Sequence, residues 1–223
     1  MMRLSVLALL LCITNLANTF AQQMTAEEKL KYEKAITERA GKIVMGLGIA
    51  DQRKSDKVRD IIKDQYSNLN DIHSARDLKV KQIKEQQKDN KVERDSALAK
   101  ENRNTETALS KLHKKYMAKL SAQLTTDQVD LVKNGMTYNV LPITYKAYQE
   151  EILTLTEEQK KQILVWLTEA REHAMDAESS DKKHAWFGKY KGRINNYLSA
   201  AGYDLKKEGI EWEKRRKAKA QVN

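Results

Sequence analysis

A single proline, Pro142, and eight glycines are spread over 223 residues, so the chain offers few places at which a helix must stop. Proline removes a backbone donor and clashes with the preceding turn, and an interior glycine costs a helix about 1 kcal/mol. Where both are scarce and apolar side chains recur every three or four positions, helices are the regular structure that buries them. Val58, Ile61, Ile62, Tyr66, Leu69, Ile72, Val80 and Ile83 follow that spacing along one long helix beginning at Asp51 or Ser55. No segment alternates as a half-buried strand would, and the predicted class is all-α.

Local signals divide the chain further. Thr25 and Glu28 form a capping box ahead of a first helix whose apolar positions are Leu30, Ile36, Ile43, Val44 and Leu47. Gly46 and Gly48 are expected to end it in the left-handed conformation. From Lys84 to Thr107 the apolar pattern thins to Val92, Ala97, Leu98 and Ala99. A charged tip reversing near Asp89-Asn90 is therefore predicted, before Leu109, Leu112, Tyr116, Met117 and Leu120 resume the stripe. The result is a long antiparallel helical hairpin packed with shorter C-terminal helices. Leu124-Thr125-Thr126-Asp127-Gln128 and Leu155-Thr156-Glu157-Glu158-Gln159 are two further capping boxes, which satisfy the free backbone donors of a helix start. Gly135 is expected to close the helix after the first box, and Pro142 to stiffen a loop or open the next helix. After the second, Ile163, Leu164, Trp166, Leu167 and Ala170 should point inward. A capped turn at Glu178-Ser179-Ser180-Asp181 leads to a helix closed by Gly202, and Asp204 caps the last one.

The first 21 residues read as an export signal. Arg3 supplies the positive end, Leu4 to Leu16 the apolar stretch, and Thr19 and Ala21 the small residues of a cleavage site after Ala21. The apolar stretch is shorter than the roughly 20 residues of a membrane span. Lipid attachment at Cys12 is disfavoured because Leu9-Leu10-Leu11 precede it in place of small residues. Removing that segment removes the chain's one cysteine, and with it any disulfide or thiolate chemistry. Residues 22–213 are read as a single helical domain and 214–223 as a basic tail that frays, in a periplasmic or secreted protein.

The formal net charge of +10 is interleaved with acids, as on a solvated helical surface, or else marks attraction to polyanions. Export disfavours nucleic acid as the partner. Glu169, His173, Asp176 and His184 could face a metal, but their spacing matches no metal motif, and none is assigned. No phosphate loop, nucleophile elbow or Cys-His pair is present. The acids Glu169, Glu172, Asp176 and Asp181 surround Trp186, which would suit a glycan-active enzyme, yet no catalytic residue or cofactor is assigned. Lys182, Lys183, Lys189, Lys191 and Arg193 interleave with His184, Trp186, Tyr190 and Tyr197. That composition suits a sugar or anionic ligand, or equally a last core layer with its lysines in water. The candidate ligand-binding set is His73, Arg76, Asp77, Tyr138, Tyr145, His173, His184 and Trp186, taken from the three stretches least explained by helical periodicity.

Two resemblances follow. The two LTxxQ pentapeptides, Leu124 to Gln128 and Leu155 to Gln159, in a basic helical chain resemble periplasmic proteins of the Spy and CpxP type. That resemblance implies a cradle-shaped homodimer that holds unfolded clients without nucleotide. Gln65 to Asp77, Lys133 to Tyr148 and Glu169 to Leu205 resemble the domain-of-unknown-function family numbered 3826, exported proteins of Bacteroidota often encoded beside polysaccharide-degradation genes. It implies export and a carbohydrate context, and brings no catalytic residues. The expected function is a non-enzymatic binding or accessory protein in periplasmic polysaccharide utilisation. An ATP-independent chaperone is the alternative and a glycan-active enzyme the third reading.

Overall fold

The structure, a computed structural model, describes residues 25–220, which form eight helices and no strand. The expected signal segment lies outside the described residues. The helices are α1 (Ala26–Met45), α2 (Gln52–Gln86), α3 (Lys91–Ser121), α4 (Thr126–Met136), α5 (Val140–Glu151), α6 (Glu157–Met175), α7 (Ser180–Ala200) and α8 (Leu205–Ala220). None of them is long and apolar enough to cross a membrane.

Each helix start is written locally. Thr25, Thr125 and Thr156 all form reciprocal capping boxes, with Glu28, Gln128 and Gln159. Asp51, Asn90, Ser179 and Asp204 accept backbone N–H groups at the starts of α2, α3, α7 and α8. Gln128 also donates to the Leu47 carbonyl at 2.9 Å, so one cap ties α4 to the end of α1. Pro142 sits in the first turn of α5, where its missing donor costs nothing.

Two apolar clusters result. One joins α1, α2, α3 and α4 around Val44, Val58, Ile62, Tyr116, Leu120 and Val132, and takes in Met175 from the end of α6. The other joins α5, α6 and α7 around Leu141, Tyr148, Ile163, Leu167, Phe187 and Ile194. α2 has 35 residues, about 52 Å of helix at 1.5 Å per residue, and with α3 it outruns the shorter helices. Between His73 and Tyr116 the only buried residue is Thr105, which agrees with the thinning of the apolar pattern there.

Several local expectations are corrected. Leu30 is 72% exposed and Leu164 38% exposed, because the surfaces that receive α1 and α6 cover narrower stripes than the apolar residues occupy. Gly46 is right-handed, and Gly48 alone supplies the left-handed turn after α1. Gly135 does not end α4: it lies inside the helix, where an added Cβ would stand 2.9 Å from Cγ1 of Ile43, so its role is the close approach of α4 to α1. The turn is made instead by Tyr138 and Asn139, both left-handed. Asparagine tolerates that region better than most residues, while tyrosine is strained in it. At the other end of the described residues α8 runs as a helix through Ala220. Arg215 there donates to the Glu150 and Glu151 carbonyls at the end of α5.

Candidate functional site

α6 spans both apolar clusters, with Ile163 and Leu167 in one and Met175 in the other. Its last two turns carry a polar seam between them. Arg171 is 5% exposed; it donates to Asn134 Oδ1 at 2.9 Å and to Asp130 Oδ1 at 2.8 Å on α4. Lys133 Nζ stands 3.0 Å from both oxygens of Glu172. From α3, His113 places Nδ1 2.8 Å from Asp176 Oδ2 and Nε2 3.5 Å from Glu172 Oε2. From α2, His73 Nε2 lies 2.7 Å from the Asp176 carbonyl. A carbonyl only accepts, so this nitrogen carries a proton.

The electrostatics follow from these partners. The bonds to Asp176 and then Glu172 raise the pKa of His113 to about 9, so it is an imidazolium at neutral pH. Burial alone would raise Glu172, but the bonds from His113 and Lys133 outweigh it and hold the carboxyl at about 2. Stability linked to His113 is therefore full below its unfolded pKa of about 6.5 and lost as the pH rises through about 9. That linked to Glu172 is full above about 4.5 and lost as the pH falls through about 2. Lys183, which burial lowers to about 8, acts oppositely at alkaline pH. The difference between wild type and His113→Asn thus isolates the imidazolium. Urea denaturation is expected to show this difference shrinking from pH 6.5 to 9.5, and a constant difference would exclude the charged clamp.

Two clefts flank the seam. The first, about 740 Å³, lies among α1, α2, the α4–α5 turn and the start of α7, and is lined by Tyr32, Arg39, Lys42, Tyr66, His73, Asp77, Tyr138, Glu178 and Lys183 among others. The second, about 580 Å³, lies among α2, α3 and α6 and includes Arg76, His113, Glu172, His173, Asp176 and Trp186. His73, Ala177 and Glu178 line both. The start of α7 explains the division. Lys183 and Phe187, four residues apart, face inward and are buried, whereas His184 and Trp186, two apart, point about 200° from each other around the axis. His184 stacks on Tyr138 with ring centroids 5.4 Å apart and planes 10° apart. Trp186 stacks on His173 at 4.3 Å and 13°, and Lys189 Nζ lies 5.1 Å from the Trp186 ring centre.

Of the eight candidate ligand-binding residues, His73, Asp77 and Tyr138 line the first cleft, and His73, Arg76, His173 and Trp186 the second. His184 backs Tyr138. Tyr145 departs from the group, since it packs against the second apolar cluster and lines neither cleft. Of the four acids near Trp186, Glu172 and Asp176 reach a cleft, while Glu169 faces Arg193 at 3.8 Å. Among the described residues no three His, Cys, Asp or Glu side chains gather as a metal-binding group.

Sequence reasoning missed His113, Arg171 and Arg39. Each carried a signal: His113 lies four residues after Leu109 and three before Tyr116, Arg171 four after Leu167 and three before Ala174, Arg39 three after Ile36 and four before Ile43. A charged or polar side chain at helical spacing within an apolar stripe must meet a partner or line a cleft.

Residues 33–218 match the family described as "Protein of unknown function (DUF3826)", and the chain belongs to that family. No curated protein matches it.

Proposed function

We propose that this member of the family is a non-enzymatic saccharide-binding protein, exported and serving as an accessory component of polysaccharide utilisation. The observation that carries the reading is the pair of aromatic stacks set on either side of the start of α7, Tyr138 with His184 and Trp186 with His173. Tyr138 lines the first cleft and Trp186 with His173 the second, and aromatic rings among polar cleft walls are the combination that receives the C–H face and hydroxyls of a sugar ring. Both cleft volumes fall within the range usual for ligand sites, about 300 to 1,000 Å³.

The state of the acids favours binding over hydrolysis. Glycoside cleavage needs a protonated carboxyl poised as general acid. Glu172 is ionised down to about pH 2 and held by Lys133, Arg171 and His113, and one oxygen of Asp176 is taken by His113.

Calorimetric titration of residues 22–223 with a panel of oligosaccharides tests this. At least one class is expected to bind, and Trp186→Ala or Tyr138→Ala in a folded variant should weaken it about tenfold, or 1.4 kcal/mol. Turnover of a bound glycan would remove the non-enzymatic part of the reading. Absence of binding, together with suppression of client aggregation at stoichiometric amounts, would replace it with the chaperone reading.

A further inference from the structure

We infer that the first cleft is an oxyanion site, taking a carboxylate or sulfate group between Arg39 and Lys183; only the identification of the rest of the ligand as a saccharide rests on the reading above. The argument is a count of charges and partners. Asp77 and Glu178, acids on the wall of this cleft, are both engaged by Arg76, whose Nη2 lies 2.6 Å from Asp77 Oδ1 and 3.4 Å from Glu178 Oε1. The cleft's other cations, Arg39, Lys42 and Lys183, form no ion pair among the described residues. The lining itself therefore carries a positive excess.

Lys183 is the telling member. It is 7% exposed, and lysines so buried are almost always paired. Its Nζ donates to the carbonyls of Met136 at 3.2 Å and Met175 at 3.3 Å, the last residues of α4 and α6. An ammonium has three N–H donors; beyond these two carbonyls, the described residues offer it only the Tyr66 ring, its centre 5.9 Å away. Burial depresses its pKa, the charge of Asp176 offsets part of that, and the charge of Arg39 lowers it again. The two cations line the same cleft and repel each other, and an oxyanion between them would relieve both through charge-assisted hydrogen bonds. Ser179 and Ser180, at the positive end of the 21-residue α7, line the same cleft.

The test is calorimetry with oligosaccharides of matched length that are neutral, uronic or sulfated, together with inorganic sulfate, on wild type and Arg39→Gln. Arg39 is solvent-exposed on α1, so the variant keeps the fold; Lys183→Met is a second variant, used where circular dichroism shows it folded. The uronic or sulfated oligomer is expected to bind at least tenfold tighter than the neutral one. Arg39→Gln should bring that ratio close to one. The tighter of the two acidic ligands identifies the group. Equal binding of neutral and acidic oligomers, insensitive to Arg39→Gln, would overturn the oxyanion site and leave the saccharide reading standing. Arg39-dependent binding of inorganic sulfate, with no oligosaccharide bound, would do the reverse. No anion binding by wild type would overturn the inference outright.

Discussion

Phe187→Ala is expected to destabilise the fold by about 4 kcal/mol, the usual cost of truncating a fully buried aromatic side chain. The ring is 2% exposed and lies in the second apolar cluster, where α7 packs on α6. It also shares the inward face of α7 with Lys183, one turn earlier. Losing it should loosen the turn that holds Lys183 toward one cleft and sends His184 and Trp186 to opposite sides. Urea denaturation measures the effect. With a slope of about 2 kcal/mol per molar urea for a chain of this size, the midpoint should fall by about 2 M. Leu164→Ala is the matched control. Sequence periodicity assigned Leu164 to the same core, but it faces solvent in part, and its truncation should stay within about 0.5 kcal/mol. Equal losses in the two variants would contradict the packing of α6 described above.

Arg171→Ala should cost about 3 kcal/mol, the lower end of the range for removing one partner from a buried ion pair. The guanidinium is the link between α6 and α4: it holds Asp130 and Asn134 and touches Glu172 at 3.4 Å. The cost sits at the low end for two reasons visible in the geometry. The Asp130 side chain is half exposed and regains water, and Glu172 keeps Lys133 and His113. Arg171→Met, which fills the same space without a charge, should cost less than Arg171→Ala, since the carbon stem of an arginine packs as well as pairs. If the two variants were equally unstable, the loss would belong to the ion pairs. If only alanine were damaging, packing would account for it.

Much of the fold was legible because its determinants are local. Capping boxes at Thr25, Thr125 and Thr156 place helix starts through hydrogen bonds made within four residues, and the helical class follows from periodicity and the lack of breakers. The candidate site was legible only in part. His73, Arg76, His173 and Trp186 stood out as polar or aromatic interruptions and do line one cleft. Tyr145 stood out equally and does not, because a tyrosine looks the same in sequence whether its ring meets a core or a ligand. Arg39 and His113 fall in register with apolar stripes, a signal that each meets a partner or a cleft, but which partner or cleft it meets is decided by other helices.

What the sequence determined by itself, then, is where helices begin, which side of each is apolar, and that the chain is all-helical: these depend on interactions a few residues apart. Packing between helices settles the rest: that α6 joins two apolar clusters through a polar seam, that Gly135 serves close packing and not termination, and that Lys183 is buried without an ion pair among the described residues while Arg76 engages Asp77 and Glu178. Those outcomes rest on contacts between residues far apart in the chain, such as His73 with Asp176, 103 positions away, and Lys183 with Met136, 47 away. The free energy of such contacts depends on burial and on which partners the fold brings within reach, and neither is encoded in the spacing of one helix.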